Sequence, residues 1–344
     1  MRAAHLALSL LSCCSLLLAC GGSDDEPGGS PGGSGGSGAT GSGGSAGSAS
    51  GGTGAGTGTG GGMTGPTTQD CFGDLYDGEV VVDYDQFVPT LGAHCVGTAH
   101  QDIAGVEKLV FLGDSITQGT APTPSSSFYR VRLAEKLTQK FPGLEVQSCA
   151  QNGARARDLY TSGDQQIQQC FPGPESKKTL VVFTVGGNDL ANLAQSKASP
   201  AQAQTAIDQV MTDVRAAIDY LKSPTNFPNG SYVVFANVYE YTDLTSNMSS
   251  CPAAFLAGLT GTWQEGGGVI KGLREGYMKI AVETGTDVMF MGEEFCGHGY
   301  EAKNTSGQCF RDASAENWFD ATCIHPTSNG HAKIAELFET VIGE

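Results

Sequence analysis

"VFLGDSITQGT", residues 110–120, runs from an apolar segment straight into a polar turn punctuated by glycine. Gly, Asp and Ser are ordinary turn formers, so one reading of Asp114-Ser115 is a strand-to-helix turn and nothing more. The other is that the turn presents Ser115 as a nucleophile. The rest of the chain discriminates between them.

Four further runs resemble the one that leads into this turn. With "KLVFLG" (108–113) they are "LEVQSC" (144–149), "TLVVFTV" (179–185), "SYVVFANV" (231–238) and "DVMFM" (287–291). Several are nearly continuous apolar runs, the pattern of strands covered on both faces. Helical patterns lie between them. Tyr129, Leu133, Leu137 and Phe141 share one face, ended by Pro142-Gly143. Ser199 and Pro200 read as the N-cap and first residue of a helix striped by Ile207, Val210, Val214, Ile218 and Leu221. A further helix is expected over "GVIKGLREGYMKIAVE", and a last one carries Ile334, Leu337, Phe338 and Val341. Strands alternating with helices predict an α/β fold with a mainly parallel five-stranded sheet. Sites in such sheets lie beyond the carboxyl ends of the strands, where Ser115 stands.

Outside this region the chain carries other information. "MRAAHLALSLLSCCSLLLAC" has an early Arg2 and an apolar run too short for a membrane span, and reads as a secretory signal over residues 1–19. Leu17-Leu18-Ala19-Cys20 resembles the lipobox of bacterial lipoproteins, which implies acylation of Cys20, although Leu18 stands where a small residue is usual. Residues 20–70 are then almost all Gly, Ser, Thr and Ala, a flexible tether with a reach of roughly 35–40 Å. The folded domain is expected over 71–344, with 71–107 as an extension wrapped on the core. The expected location is thus exported and lipid-anchored, at the bacterial outer membrane or cell surface.

Of the 11 cysteines, Cys13 and Cys14 fall in the signal. Beyond Cys20, the remaining Cys71, Cys95, Cys149, Cys170, Cys251, Cys296, Cys309 and Cys323 form an even set suited to four disulfides. Pairing between sequence neighbours is expected, for instance Cys296 with Cys309. A formal charge of −17 argues against nucleic acid and anionic lipid surfaces as partners. The membrane enters only through the N-terminal lipid.

Serine needs a base, and histidine is the usual one near neutral pH. Of the five histidines beyond the signal, His325 stands in "WFDATCIHPTSNGH", with Asp320 upstream and Pro326 fixing the turn. His331 reads as a residue in the first turn of the last helix, on its surface or in its packing. His94 and His100 fall in the extension, and His298 in a Gly-rich loop. A developing oxyanion needs donors. "FTVGGNDL" places Asn188 at the end of the third strand, and "CAQNGARARD" places Gly153 past the second. Trp318 reads as a core aromatic first and as a sugar platform second. The G-x-S-x-G elbow is not met around Ser115, and no P-loop or G-x-G-x-x-G follows the first strand.

Four blocks in this order resemble the SGNH hydrolases, or GDSL esterases/lipases. "FLGDSITQG", Gly153, "GGND" and "HP" preceded by an Asp correspond to their successive blocks, over about 108–340. The resemblance implies a flavodoxin-like three-layer α/β/α sandwich, with Ser115 as nucleophile and His325 as general acid/base. The oxyanion hole would be the Ser115 N–H, the Gly153 N–H and the Asn188 side chain. It implies no metal or organic cofactor. The substrate would be an ester, expected to be a short acyl or acetyl group on carbohydrate or small alcohols. One position departs from the family. Its acid usually sits three residues before the His, where this chain has Thr322, and Asp320 lies two residues further back. Asp320 reaches the imidazole only if the loop bulges; otherwise a backbone carbonyl orients the ring and a dyad remains. The alternative function is an inactive carbohydrate-binding lipoprotein on the same fold.

Overall fold

The computed structural model of the chain describes residues 96–163 and 165–343. The expected signal, Cys20, the tether, Cys71, His94 and Cys95 lie outside the described residues.

All five expected strands form, as β1 (Lys108–Gly113), β2 (Glu145–Ser148), β3 (Thr179–Thr184), β4 (Ser231–Ala236) and β5 (Asp287–Met289). They pair in the order β2-β1-β3-β4-β5, and every pair is parallel. This is the flavodoxin-like order, in which the chain steps from β1 outward to β2 and then returns to β3 on β1's other side. β1 and β3 are buried along their whole length, as their unbroken apolar runs require. β2 departs from the expectation of a buried strand. It is an edge strand with one neighbour, and Glu145, Val146 and Ser148 are exposed.

The expected helices form as α2 (Tyr129–Lys140), α5 (Pro200–Lys222), α6 (Gly266–Thr284) and α8 (Ser328–Gly343). Ser199 and Gln202 make a reciprocal capping box at the start of α5, so two N–H groups the helix cannot satisfy internally gain acceptors. The predicted stripe of α5 is buried, as are Tyr129, Leu133 and Leu137 of α2. α2 packs with α8 over one face of the sheet, and α5 packs with α6 over the other. A strand order that reverses direction at β1 puts the crossover helices on opposite faces of the sheet.

Four short helices escape the sequence pattern: α1 (Ser115–Gln118), α3 (Gln166–Cys170), α4 (Gly187–Ser196) and α7 (Met291–Phe295). α4 is the most consequential, because it begins inside the glycine pair that reads as a loop. The described end of the extension does wrap on the core. Thr98 N donates to Val288 O at 3.0 Å, and the Thr98 and Gln101 side chains donate to the buried Asp287 carboxylate.

Three disulfides are described. Cys296–Cys309 is the neighbour pair expected, and Cys149–Cys170 is another. Cys251–Cys323 corrects the neighbour rule: it spans 72 residues and encloses the Cys296–Cys309 bridge. It fastens the segment after β4 to the loop that carries His325. Spacing alone cannot reveal a pairing made by the convergence of two loops.

Candidate active site

β1 ends at Gly113, with φ +113°, where a Cβ would lie 2.0 Å from the Thr184 carbonyl oxygen of β3. Only glycine permits that approach. Gln166 of α3 acts on the same residue as a second peptide would. Its carboxamide accepts from Gly113 N at 2.6 Å and donates to Gly113 O at 2.9 Å. The chain then turns, and Asp114 caps α1 by accepting from Ile116 N at 3.0 Å. The Thr184 hydroxyl donates to the same carboxylate oxygen at 2.8 Å, while Asp114 N donates to Thr184 O. Beneath them the hydroxyls of Thr117, Thr184 and Tyr129 are chained at 2.8 and 2.6 Å. Ser115, the first residue of α1, is therefore held from below through both neighbouring strands.

His325 comes from the loop before α8. Phe319 bridges Pro326 in antiparallel fashion, Asp320 N donates to His325 O at 2.8 Å, and Thr327 N donates to Trp318 O at 2.8 Å. Tyr239 OH donates to Ile324 O at 2.9 Å, and Thr123 Oγ1 donates to Pro326 O at 3.2 Å. This ladder aims the ring at α1, so that Ser115 Oγ and His325 Nε2 lie 3.0 Å apart.

The other ring nitrogen does not meet Asp320. His325 Nδ1 lies 3.0 Å from Thr322 Oγ1, and the Thr322 hydroxyl in turn donates to Asp320 Oδ1. The loop does bulge, with Cys323 at φ +75°, but the bulge turns Thr322 toward the ring rather than Asp320. Neither a direct Asp–His contact nor a backbone carbonyl, the two expected arrangements, is present among the described residues.

Asn188 is the second residue of α4, beside Gly186 at φ +98°. Its Nδ2 donates to Ala154 O at 2.9 Å, which orients the amide and leaves its other N–H free to donate elsewhere. The same contact ties Asn188 to the loop of Gly153, an exposed residue at φ +78°. Neither the Ser115 N–H nor the Gly153 N–H donates a hydrogen bond within the described residues.

The remaining sequence candidates have other roles. His331 is buried in α8, where Nδ1 accepts from Tyr129 N at 3.2 Å and burial pushes its pKa down to about 4. It is a packing residue. His100 Nδ1 lies 2.6 Å from Thr286 O beside β5. His298 lies flat on Trp318 with ring centroids 3.4 Å apart, and Phe295 meets that indole edge-on. The tryptophan is thus a packed aromatic rather than a free platform. Among the described residues no group of three or more His, Cys, Asp or Glu side chains is placed to hold a metal ion.

Ser115, Asn188 and His325 line one cavity of about 110 Å³. Its walls are otherwise mainly apolar, with Leu190 and Ala194 of α4, Ile270 of α6, and Met248, Leu259 and Trp263 from the segment after β4. A single water needs only about 10–15 Å³ of such space.

Burial sets the electrostatics. It lowers the pKa of His325, and the Asp320 charge opposes that shift. It raises Asp114 to about 7 against the pull of its Thr184 and Ile116 hydrogen bonds. It also raises Asp189, which accepts from Ala156 N, to about 6.

The Asp114 shift yields a prediction. From 3.8 unfolded to about 7 folded, the native state binds the extra proton. The associated stability is complete below the lower value and is lost as pH rises through the upper one. Asparagine keeps the accepting oxygen and cannot ionise. The melting temperature of Asp114→Asn relative to wild type is therefore expected to climb between about pH 4 and about pH 8. A difference that stays flat across that range contradicts the assignment.

Residues 109–338 match the family model described as GDSL-like Lipase/Acylhydrolase. No functionally curated protein matches the sequence. Among solved structures, the chain is similar to the acetylxylan esterase Axe2 of Geobacillus stearothermophilus. Identity there is 19%, coverage 71% of this chain and 97% of the other, and the TM-score 0.40. Similarity to phospholipase A1 of Streptomyces albidoflavus NA297 is at 18% identity, 68% and 99% coverage and a TM-score of 0.47. A G-D-S-L family lipolytic protein of Veillonella parvula DSM 2008 is similar at 14% identity, 68% and 97% coverage and a TM-score of 0.43. The family match extends from β1 into α8 and takes in every residue of the site just described, so the chain belongs to the GDSL-like lipase/acylhydrolase family.

Proposed function

We propose that this protein is an exported, lipid-tethered serine esterase that works through an acyl-enzyme. The observation that carries the reading is the 3.0 Å contact between Ser115 Oγ and His325 Nε2 at an apolar cavity. His325 Nε2 takes the hydroxyl proton as Ser115 Oγ attacks the ester carbonyl. The tetrahedral oxyanion is received by the Ser115 and Gly153 N–H groups and by the free N–H of Asn188. Collapse expels the alcohol, which leaves with the proton from His325, and water repeats the sequence in reverse to release the acid. Burial lowers the pKa of His325, which favours the neutral, proton-accepting form of the ring.

The cavity bears on the acyl side of the substrate. The sequence leads to an acetyl or short acyl group on carbohydrate or a small alcohol. Asn188 and Ala194 both line the cavity, and six helical steps along α4 separate them by about 9 Å. An acetyl group would leave most of that length unfilled. We therefore extend the proposal to acyl chains of several carbons, laid along α4 toward Leu259 and Trp263. Acylation of Cys20 and the tether behind it belong to the same proposal, which places such esters outside the cytoplasm.

Hydrolysis of p-nitrophenyl acetate, butyrate and decanoate by the full chain, beside Ser115→Ala, tests both parts. Turnover is expected to vanish with Ser115. Each methylene that enters the cavity contributes about 0.8 kcal/mol, so kcat/KM should rise roughly tenfold from acetate to butyrate. Activity that survives Ser115→Ala refutes the nucleophile, and a steady fall from acetate onward refutes the longer acyl chain. Asn188→Ala should raise the barrier by about 2.7–4 kcal/mol, seen as a kcat loss of roughly 10²–10³ with little change in KM. An unchanged kcat removes Asn188 from the oxyanion hole.

A further inference from the structure

We infer that Thr322 is a positioning residue that relays the Asp320 carboxylate to His325 and thereby sets the tautomer in which His325 serves as base. The inference rests on the esterase reading.

Donors and acceptors fix the direction of each contact. A carboxylate can only accept. Asp320 Oδ1 accepts from Thr322 N at 2.8 Å and from the Thr322 hydroxyl. The single hydroxyl proton of Thr322 is thereby committed to Asp320. What Thr322 Oγ1 offers His325 Nδ1 at 3.0 Å is then a lone pair, so Nδ1 must carry the ring proton. The bare nitrogen is Nε2, the one 3.0 Å from Ser115 Oγ. Every bond in the chain Asp320–Thr322–His325–Ser115 is fixed in direction by its far end.

The surroundings hold the relay in place. Asp320 is 6% exposed, and its Oδ2 has no hydrogen-bond partner among the described residues. Its backbone carbonyl accepts from Tyr300 OH at 2.9 Å and Cys323 N at 3.0 Å, and its N–H donates to His325 O. The Cys251–Cys323 bridge anchors the residue after Thr322. Thr322 occupies the position three before His325, so a carboxylate placed there would meet the ring directly. Here the charge stands one hydroxyl further away. When His325 becomes an imidazolium during attack, the two nearest dipoles, N–H to oxygen and O–H to carboxylate, both point the stabilising way.

The other ionisable groups near the ring do not compete for this role. His331 of α8 is held neutral by burial, with its pKa near 4. Burial holds Tyr239, beyond β4, far above the usual phenol range. Asp114 lies beneath Ser115 and is committed to Ile116 N and Thr184. Asp320 supplies the charge that opposes the lowering of His325 by burial.

The test compares kcat, KM and the acidic limb of the kcat/KM profile on p-nitrophenyl butyrate, using the full chain. Wild type should lose activity on acidification with a midpoint below the ordinary histidine value of about 6.5. Thr322→Val is expected to lower kcat by about 10²–10⁴-fold with KM within about threefold, because the tautomer is no longer specified. Thr322→Ser, which keeps the hydroxyl, should recover at least tenfold of that loss. Thr322→Asp should also be more active than Thr322→Val and should move the acidic midpoint upward, since a carboxylate then touches the imidazolium. Asp320→Asn should move the midpoint downward in the wild-type background and much less in the Thr322→Asp background. Equal activity of Thr322→Val and wild type overturns the relay, as does an acidic midpoint that neither Thr322→Asp nor Asp320→Asn displaces. Wild-type turnover that Ser115→Ala leaves intact would instead sink the esterase reading, so the two failures are distinguishable.

Discussion

The site depends on how closely β1 and β3 approach at their carboxyl ends. Gly113 has no side chain, so the Thr184 carbonyl occupies the space a Cβ would need, and Asp114 N donates to that carbonyl. From this contact the chain can only turn away from the sheet. The turn is then secured by the Asp114 carboxylate, which accepts from Ile116 N of α1 and from the Thr184 hydroxyl. Because the strand order reverses between β1 and β3, the crevice above them is the switch point where parallel sheets leave room for a ligand. Ser115 follows one of these strands and Asn188 the other. The sheet topology therefore places the Ser115 hydroxyl and the Asn188 amide on the same crevice before any long loop is involved.

The third participant arrives differently. His325 is positioned by a loop pinned on all sides: by the Phe319–Pro326 bridge, by Tyr239 and Tyr300, and by the disulfide to Cys251. That disulfide also anchors the segment after β4, whose Met248, Leu259 and Trp263 wall the apolar cavity. The His325 loop and this cavity wall thus share one covalent attachment. Burial also shifts the ionisable groups in and under the site toward their neutral forms. Asp114 and Asp189 are raised, and His325 and His331 are lowered.

What could be read from residues alone followed what is local or periodic. The strand runs, the α5 stripe and the Ser199 cap are written in consecutive residues, and each formed where expected. β2 misled because "LEVQSC" has strand chemistry, but only the sheet order reveals that it is an edge. α4 was hidden because Gly186-Gly187 reads as loop, although its left-handed glycine is what admits the helix start. Ser115 and His325 were singled out through type and position, and the fold brings their side chains to 3.0 Å. Thr322 stood in plain view at the position where an acid was expected. Its presence there read as a departure in one residue, whereas its hydroxyl lies between the Asp320 carboxylate and the His325 ring. Gln166 had no local signal, since its bonds to Gly113 cross 53 residues.

Covalent capture would show whether Ser115 attacks the substrate carbonyl. The full chain would be treated with a p-nitrophenyl alkylphosphonate, which mimics the tetrahedral intermediate, and then digested and mapped by mass spectrometry. One adduct per chain is expected, on the peptide containing Ser115, with p-nitrophenol released in equal amount and little labelling of His325→Ala. An adduct confined to another residue, or none on protein that still hydrolyses esters, would contradict it.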